Sequence, residues 1–202
     1  MTPLLALLLH CSFVLVSFSS PIKPPSSQNS NFKSNVQDAQ SLANKMLKNI
    51  PAVHKSCVRK TFTNDPSSLE YIRTTLAIPS APKLAPISET HTLEMNLGRM
   101  SDGLQLHQRL LQGVKEKVDC SGDLTPLLAE ISELNTHIKK VQVLAGVSAS
   151  TPSPSSVSVL SDLSKDDYKL NVGVHLLLEQ LRVFAQDTVR TLREIQHSNL
   201  HF

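Results

Sequence analysis

The stretch Leu170–Ile195, LNVGVHLLLEQLRVFAQDTVRTLREI, decides the fold class. Its apolar residues Leu170, Val174, Leu177, Leu178, Leu181, Phe184, Ala185, Val189, Leu192 and Ile195 recur at steps of three and four. That period puts them on one stripe of a long amphipathic helix. Glu179, Arg182, Gln186, Arg190 and Arg193 fall off the stripe and are expected to face water. An apolar stripe of this length needs partner helices to cover it, and the sequence upstream supplies them.

Phe32, Val36, Ala39, Ala43, Met46 and Ile50 repeat the pattern and predict a first helix, capped by Ser30 or Asn31 and limited or kinked at Pro51. Leu93, Leu97, Met100, Leu104, Leu111, Val114 and Val118 predict another over about Glu89–Val118, with His107 on the stripe where an apolar residue is due. Thr125-Pro126 reads as cap and first turn of a third, which presents Leu127, Leu128, Ile131, Leu134, Ile138, Val141 and Ala145 and stops at Gly146. The helices differ in how they are joined. Asp119–Asp123 is short, whereas Ala52–Ser88 and Val147–Lys165 are long. Within the first long connection, Asp65-Pro66 opens a short helix through Leu69, Ile72 and Leu76. Ile78-Pro79-Ser80-Ala81-Pro82 then imposes extended backbone.

A short link joins antiparallel neighbours, and a long one can run back along a bundle. Long, short, long predicts an all-α, long-chain four-helix bundle, up-up-down-down, with two crossovers and a short helix in the first. Parallel first and second long helices end at one pole, which brings Cys57 and Cys120 together. A disulfide between them would stabilise the fold by about 4 kcal/mol on the chain-entropy model.

With 202 residues, 40% of them hydrophobic, the chain can bury one core. Four per cent aromatics and no period-two runs weigh against an all-β fold. A net charge of +3, with dispersed Lys and Arg, argues against nucleic-acid binding. Pro3–Phe18 is apolar, short for a membrane span, and gives way to Ser17-Phe18-Ser19-Ser20. This predicts a signal peptide over residues 1–20, cleaved near Ser19 or Ser20, then a disordered leader over 21–30 and a helical domain over 31–202. The mature chain is expected to be secreted, not inserted in a membrane, and monomeric when free. No Asn-x-Ser/Thr sequon occurs; the Ser/Thr/Pro-rich 148–158 segment is open to O-glycosylation.

No phosphate loop, nucleophile elbow or closely spaced Cys/His set is present, so no enzyme, cofactor or metal is expected. His197 and His201, four apart near the end, read as bystanders.

The crossover sequence Asp65-Pro66-Ser-Ser-Leu69-Glu-Tyr-Ile72-Arg-Thr-Thr-Leu76-Ala-Ile78-Pro79-Ser-Ala81-Pro82 resembles that of the granulocyte colony-stimulating factor and myelomonocytic growth factor family. The likeness continues through Gly103–Gln112, the third-helix Leu/Glu/Ile spacing and Val189–Arg193, over nearly the whole mature chain. Ser80 stands where the family has Trp. Of the family's disulfide cysteines only one has a neighbour here, Cys57; Asn64, Pro86 and Asn96 stand near the others, and Cys120 has no clear counterpart.

The resemblance implies a secreted cytokine that dimerises a class I cytokine receptor and drives granulocyte and myeloid proliferation and differentiation. It also implies two receptor-binding surfaces. The first would comprise Glu130 and Glu133 with Gln40, Ser41, Asn44 and Lys45, and the second Ser68, Glu70, Tyr71 and Tyr168. An interleukin-6-type cytokine with a shared signalling receptor, or a secreted helical carrier of apolar ligands, are the alternative readings.

Overall fold

The computed structural model describes residues 25–58, 66–147 and 167–198. All regular structure among them is helical: α1 (Pro25–Cys57), α2 (Pro66–Thr75), α3 (Leu93–Lys115), α4 (Ser121–Leu144) and α5 (Asp167–His197). The expected signal peptide and O-glycosylation segment lie outside the described residues.

Each long helix buries the stripe its spacing predicts. Phe32, Val36, Ala39, Ala43, Met46 and Ile50 of α1 meet Leu97, Met100, Leu104 and Leu111 of α3, Ile131, Leu134, Ile138 and Val141 of α4, and the α5 stripe in one core. On α5, Gln186, Arg190 and Arg193 are exposed as expected, while Glu179 and Arg182 are only half-exposed.

Several helix boundaries differ from those the local signals predict. Helix α1 starts at Pro25, so residues 25–30 of the expected disordered leader are helical. It continues past Pro51 because Val53 and Cys57 carry the buried stripe on by steps of three and four from Ile50. That packing outweighs the backbone bond an internal proline loses. Helix α3 begins at Leu93 rather than Glu89: Ser88 and His91 close a turn on each other, and Thr92 Oγ1 accepts from Met95 N at 3.2 Å as the N-cap. It ends at Lys115, short of the expected Val118. Helix α4 begins at Ser121, a turn before the expected Thr125-Pro126 start, because the amides of Asp123 and Leu124 already bond Cys120 O. At its other end Gly146, with φ +67°, supplies the left-handed residue: Gly146 N bonds Val143 O and Val147 N bonds Gln142 O.

Among the helices, α1 packs on α4 and α5, and α3 packs on the same two. Named contacts give the directions. Cys57 is disulfide-bonded to Cys120, and Asn49 meets Glu130, so α1 and α4 run oppositely. Ser101 Oγ donates to Asn135 Oδ1 at 2.9 Å between α3 and α4, across a short link. Gly103 meets Phe184, while Val118 and Leu170 line one groove, so α3 and α5 also oppose. Cys57 lines that groove too, and His54 meets His175, which opposes α1 to α5.

The chain between α2 and α3 is laid against α3 and α5. Asn96 brackets Ala85 through both amide atoms, and Ile87 N donates to Glu194 Oε1 at 2.9 Å. No described helix is long and apolar enough to cross a membrane.

Candidate functional site

Two surfaces and one groove carry the polar side chains of interest. The first surface lies where α1 crosses α4. Glu130 is 7% exposed, and its Oε1 accepts from Asn49 Nδ2 at 2.6 Å and lies 3.4 Å from Lys45 Nζ. Its Oε2 is buried with no partner among the described residues. Glu133, one turn on, is exposed. The expected acidic pair is therefore divided: Glu130 ties two helices, and Glu133 stands free for a partner. Ser41 Oγ donates to Gln37 O and Asn44 Nδ2 to Gln40 O, each at 2.9 Å, so both side chains are spent on their own helix. Gln40 is half-buried and Lys45 is exposed.

The second surface is built on α2, which packs on α5 alone among the helices. Arg73 Nη1 donates to Gln180 Oε1 at 3.0 Å, and Gln180 Nε2 donates to Pro79 O at 3.0 Å. Tyr71 projects with 73% exposure and Tyr168, at the start of α5, with 49%. Glu70 is exposed and lies 3.6 Å from Arg73. Ser68 falls on α2, but its side chain lies outside the described residues.

Between α1, α2 and α5 is a groove of about 540 Å³ whose walls include His54, Glu70, Arg73, His175 and Glu179. His54 Nε2 and His175 Nδ1 are 2.8 Å apart. Burial, then the neighbouring His54, lower the His175 pKa, and Glu179 opposes them. Neither His54 nor His175 stood out in the sequence. His175 flanks the α5 stripe, but its pairing with a residue of α1 has no local signature.

His107, flagged on the α3 stripe, is fully buried. Its Nδ1 lies 2.7 Å from Gly103 O, and a carbonyl can only accept, so Nδ1 carries the proton. Its ring is 5.3 Å from that of Phe184. Burial lowers its pKa to about 4 against the pull of the Gly103 bond. This is a core histidine.

Among the described residues no group of three or more His, Cys, Asp or Glu could hold a metal ion. His201 lies outside them. No protein-family model and no curated protein matches the chain.

Proposed function

We propose that this chain is a secreted helical cytokine of the granulocyte colony-stimulating factor kind, which joins class I cytokine receptor chains through two surfaces. The observation that carries the reading is the sense of the helices. Opposed α1–α4, α3–α4, α1–α5 and α3–α5 pairs support an up-up-down-down bundle, an arrangement that needs two long connections. The extended segment after α2, with the sequence on which the resemblance rests, lies across α3 and α5 as a crossover would. The apolar start of the chain and the Cys57–Cys120 disulfide support secretion.

On this reading the protein performs no chemistry. Glu133 offers an exposed carboxylate to basic receptor side chains. Tyr71 and Tyr168 offer aromatic area that a partner can bury, with Glu70 adjoining Tyr71 on α2. Glu130 contributes by setting the α1–α4 geometry.

The test is signalling by purified mature protein in cells that carry a granulocyte colony-stimulating factor receptor, with Glu133→Arg and Tyr71→Ala variants alongside. A response from the wild type, reduced at least tenfold in potency in each folded variant, supports both the class and the two surfaces. An unimpaired response in both variants removes the surfaces and keeps the class. No response from folded wild type rejects the receptor assignment and directs the assay to receptors of interleukin-6-type cytokines.

A further inference from the structure

His54 of α1 and His175 of α5 set two metal-binding atoms against each other from separate helices. His54 Nε2 and His175 Nδ1 are 2.8 Å apart, and the rings meet edge to face with centroids 5.1 Å apart. Both side chains are half-buried and line the groove of about 540 Å³, so an ion can reach them from solvent. Their neighbours Val53, Cys57, Val174 and Leu177 belong to the core, which fixes the two backbones before any ion arrives. A chelate held ready in this way loses little freedom on binding.

The hydrogen bond between the rings needs one facing nitrogen protonated and the other bare. A neutral imidazole carries its proton on either nitrogen, so a change of tautomer bares both facing atoms. At a metal–nitrogen distance of about 2.0 Å, two ligands lie about 2.8 Å apart at a right angle and about 3.3 Å apart at a tetrahedral one. The observed spacing meets the first value and needs about half an ångström of opening for the second. Small rotations of two half-buried rings supply that.

The surroundings decide which ions fit. Among the described residues no third His, Cys, Asp or Glu joins the pair as a ligand set. The groove also carries Glu70 and Arg73 of α2 and Glu179 and Arg182 of α5, paired at 3.6 Å and 2.8 Å. These walls are balanced in charge and offer no set of oxygen ligands for calcium or magnesium. Two imidazoles favour zinc, copper or nickel instead.

We propose that His54 and His175 form a two-histidine site for a divalent transition-metal ion of the zinc and copper kind, which ties α1 to α5 with water on its remaining positions. The ion replaces the ring-to-ring hydrogen bond with two metal–nitrogen bonds, and the displaced proton resides on the outer nitrogen of its ring. Because the ion binds the folded arrangement of the two helices, it adds to stability. The site is independent of the receptor reading and is tested without a receptor.

Zn²⁺ and Cu²⁺ are titrated separately into purified mature protein in a non-chelating buffer, with calorimetry and thermal unfolding as readouts. His54→Gln and His175→Gln remove the site. The double variant His197→Gln/His201→Gln removes the other closely spaced histidine pair of the chain. Saturable binding of at least one ion is expected, weakened by about tenfold or more in either single variant and retained in the double variant. The accompanying rise in unfolding midpoint should vanish in the same single variants. Absence of saturable binding by both ions, or equal binding in the single variants, overturns the proposal, as does binding that is lost with His197 and His201. Should a single variant not fold, imidazole resonances of the wild type under Zn²⁺ decide. Those of His54 and His175 must move together to saturation, and movement confined to other histidines overturns the site.

Discussion

Glu130 of α4 is held against Asn49 of α1, its Oε1 accepting the Asn49 amide at 2.6 Å while almost all of its surface is covered. A residue expected to meet a receptor is therefore part of the packing between helices. Truncating a buried, hydrogen-bonded charge costs more than changing an exposed one. Glu130→Ala is expected to destabilise by about 1–3 kcal/mol, and Glu133→Arg to change stability by less than about 0.5 kcal/mol. Urea denaturation of both checks this, and equal losses would contradict the division between them.

At Gly103 the backbone of α3 lies close against the Phe184 ring of α5. A Cβ placed there would lie 2.2 Å from Phe184 Cζ, inside any tolerated contact. Gly103→Ala is expected to cost about 1–3 kcal/mol through overpacking, despite alanine's higher helix propensity. Adding Phe184→Leu should recover part of that loss, read as a coupling in a double-mutant cycle of thermal unfolding.

The buried His107 makes stability fall with acid. Its folded-state pKa, about 4, lies below the unfolded value of 6.5, so the unfolded chain binds the proton first. Its contribution is complete above pH 6.5 and is lost as pH falls through about 4, for a total of about 3 kcal/mol. In His107→Asn, whose amide can still donate to Gly103 O, that part of the pH dependence should vanish. Denaturant midpoints between about pH 7 and pH 4 measure it.

The Cys57–Cys120 bridge spans a sequence separation of 63 and joins the end of α1 to the start of α4. Closing a loop of that size is worth about 4 kcal/mol on the chain-entropy model, so Cys57→Ser/Cys120→Ser should lose a large part of the net stability. Both cysteines are nearly covered. Reduction is therefore expected to be slow in native protein and fast in denaturant, as thiol alkylation followed by peptide mapping would show.

The helical class and the core were legible in the sequence because they rest on short-range periodicity. Steps of three and four put Phe32 to Ile50, Leu97 to Val114, Leu127 to Val141 and Leu170 to Ile195 on single faces whatever those faces meet. The Gly146 stop was equally local, since only the residue's own backbone decides whether φ can be positive. Helix starts were less secure. The Glu89 and Thr125-Pro126 signals gave way to other local bonds, the Thr92 cap on Met95 N and the Cys120 carbonyl that accepts from Asp123 and Leu124, and α1 starts at Pro25, ahead of Ser30–Asn31.

What the tertiary structure alone decided is which faces touch. Glu130 and Glu133 are equivalent by spacing, yet one is buried against Asn49 and the other is exposed, because α1 crosses α4 at that turn. His54 and His175 are 121 residues apart and carry no sign of each other in their neighbours. Periodicity specifies the angle at which a side chain leaves its own helix. Only the packing of one helix on another specifies what waits there, and the pairing of buried polar groups depends on that second fact.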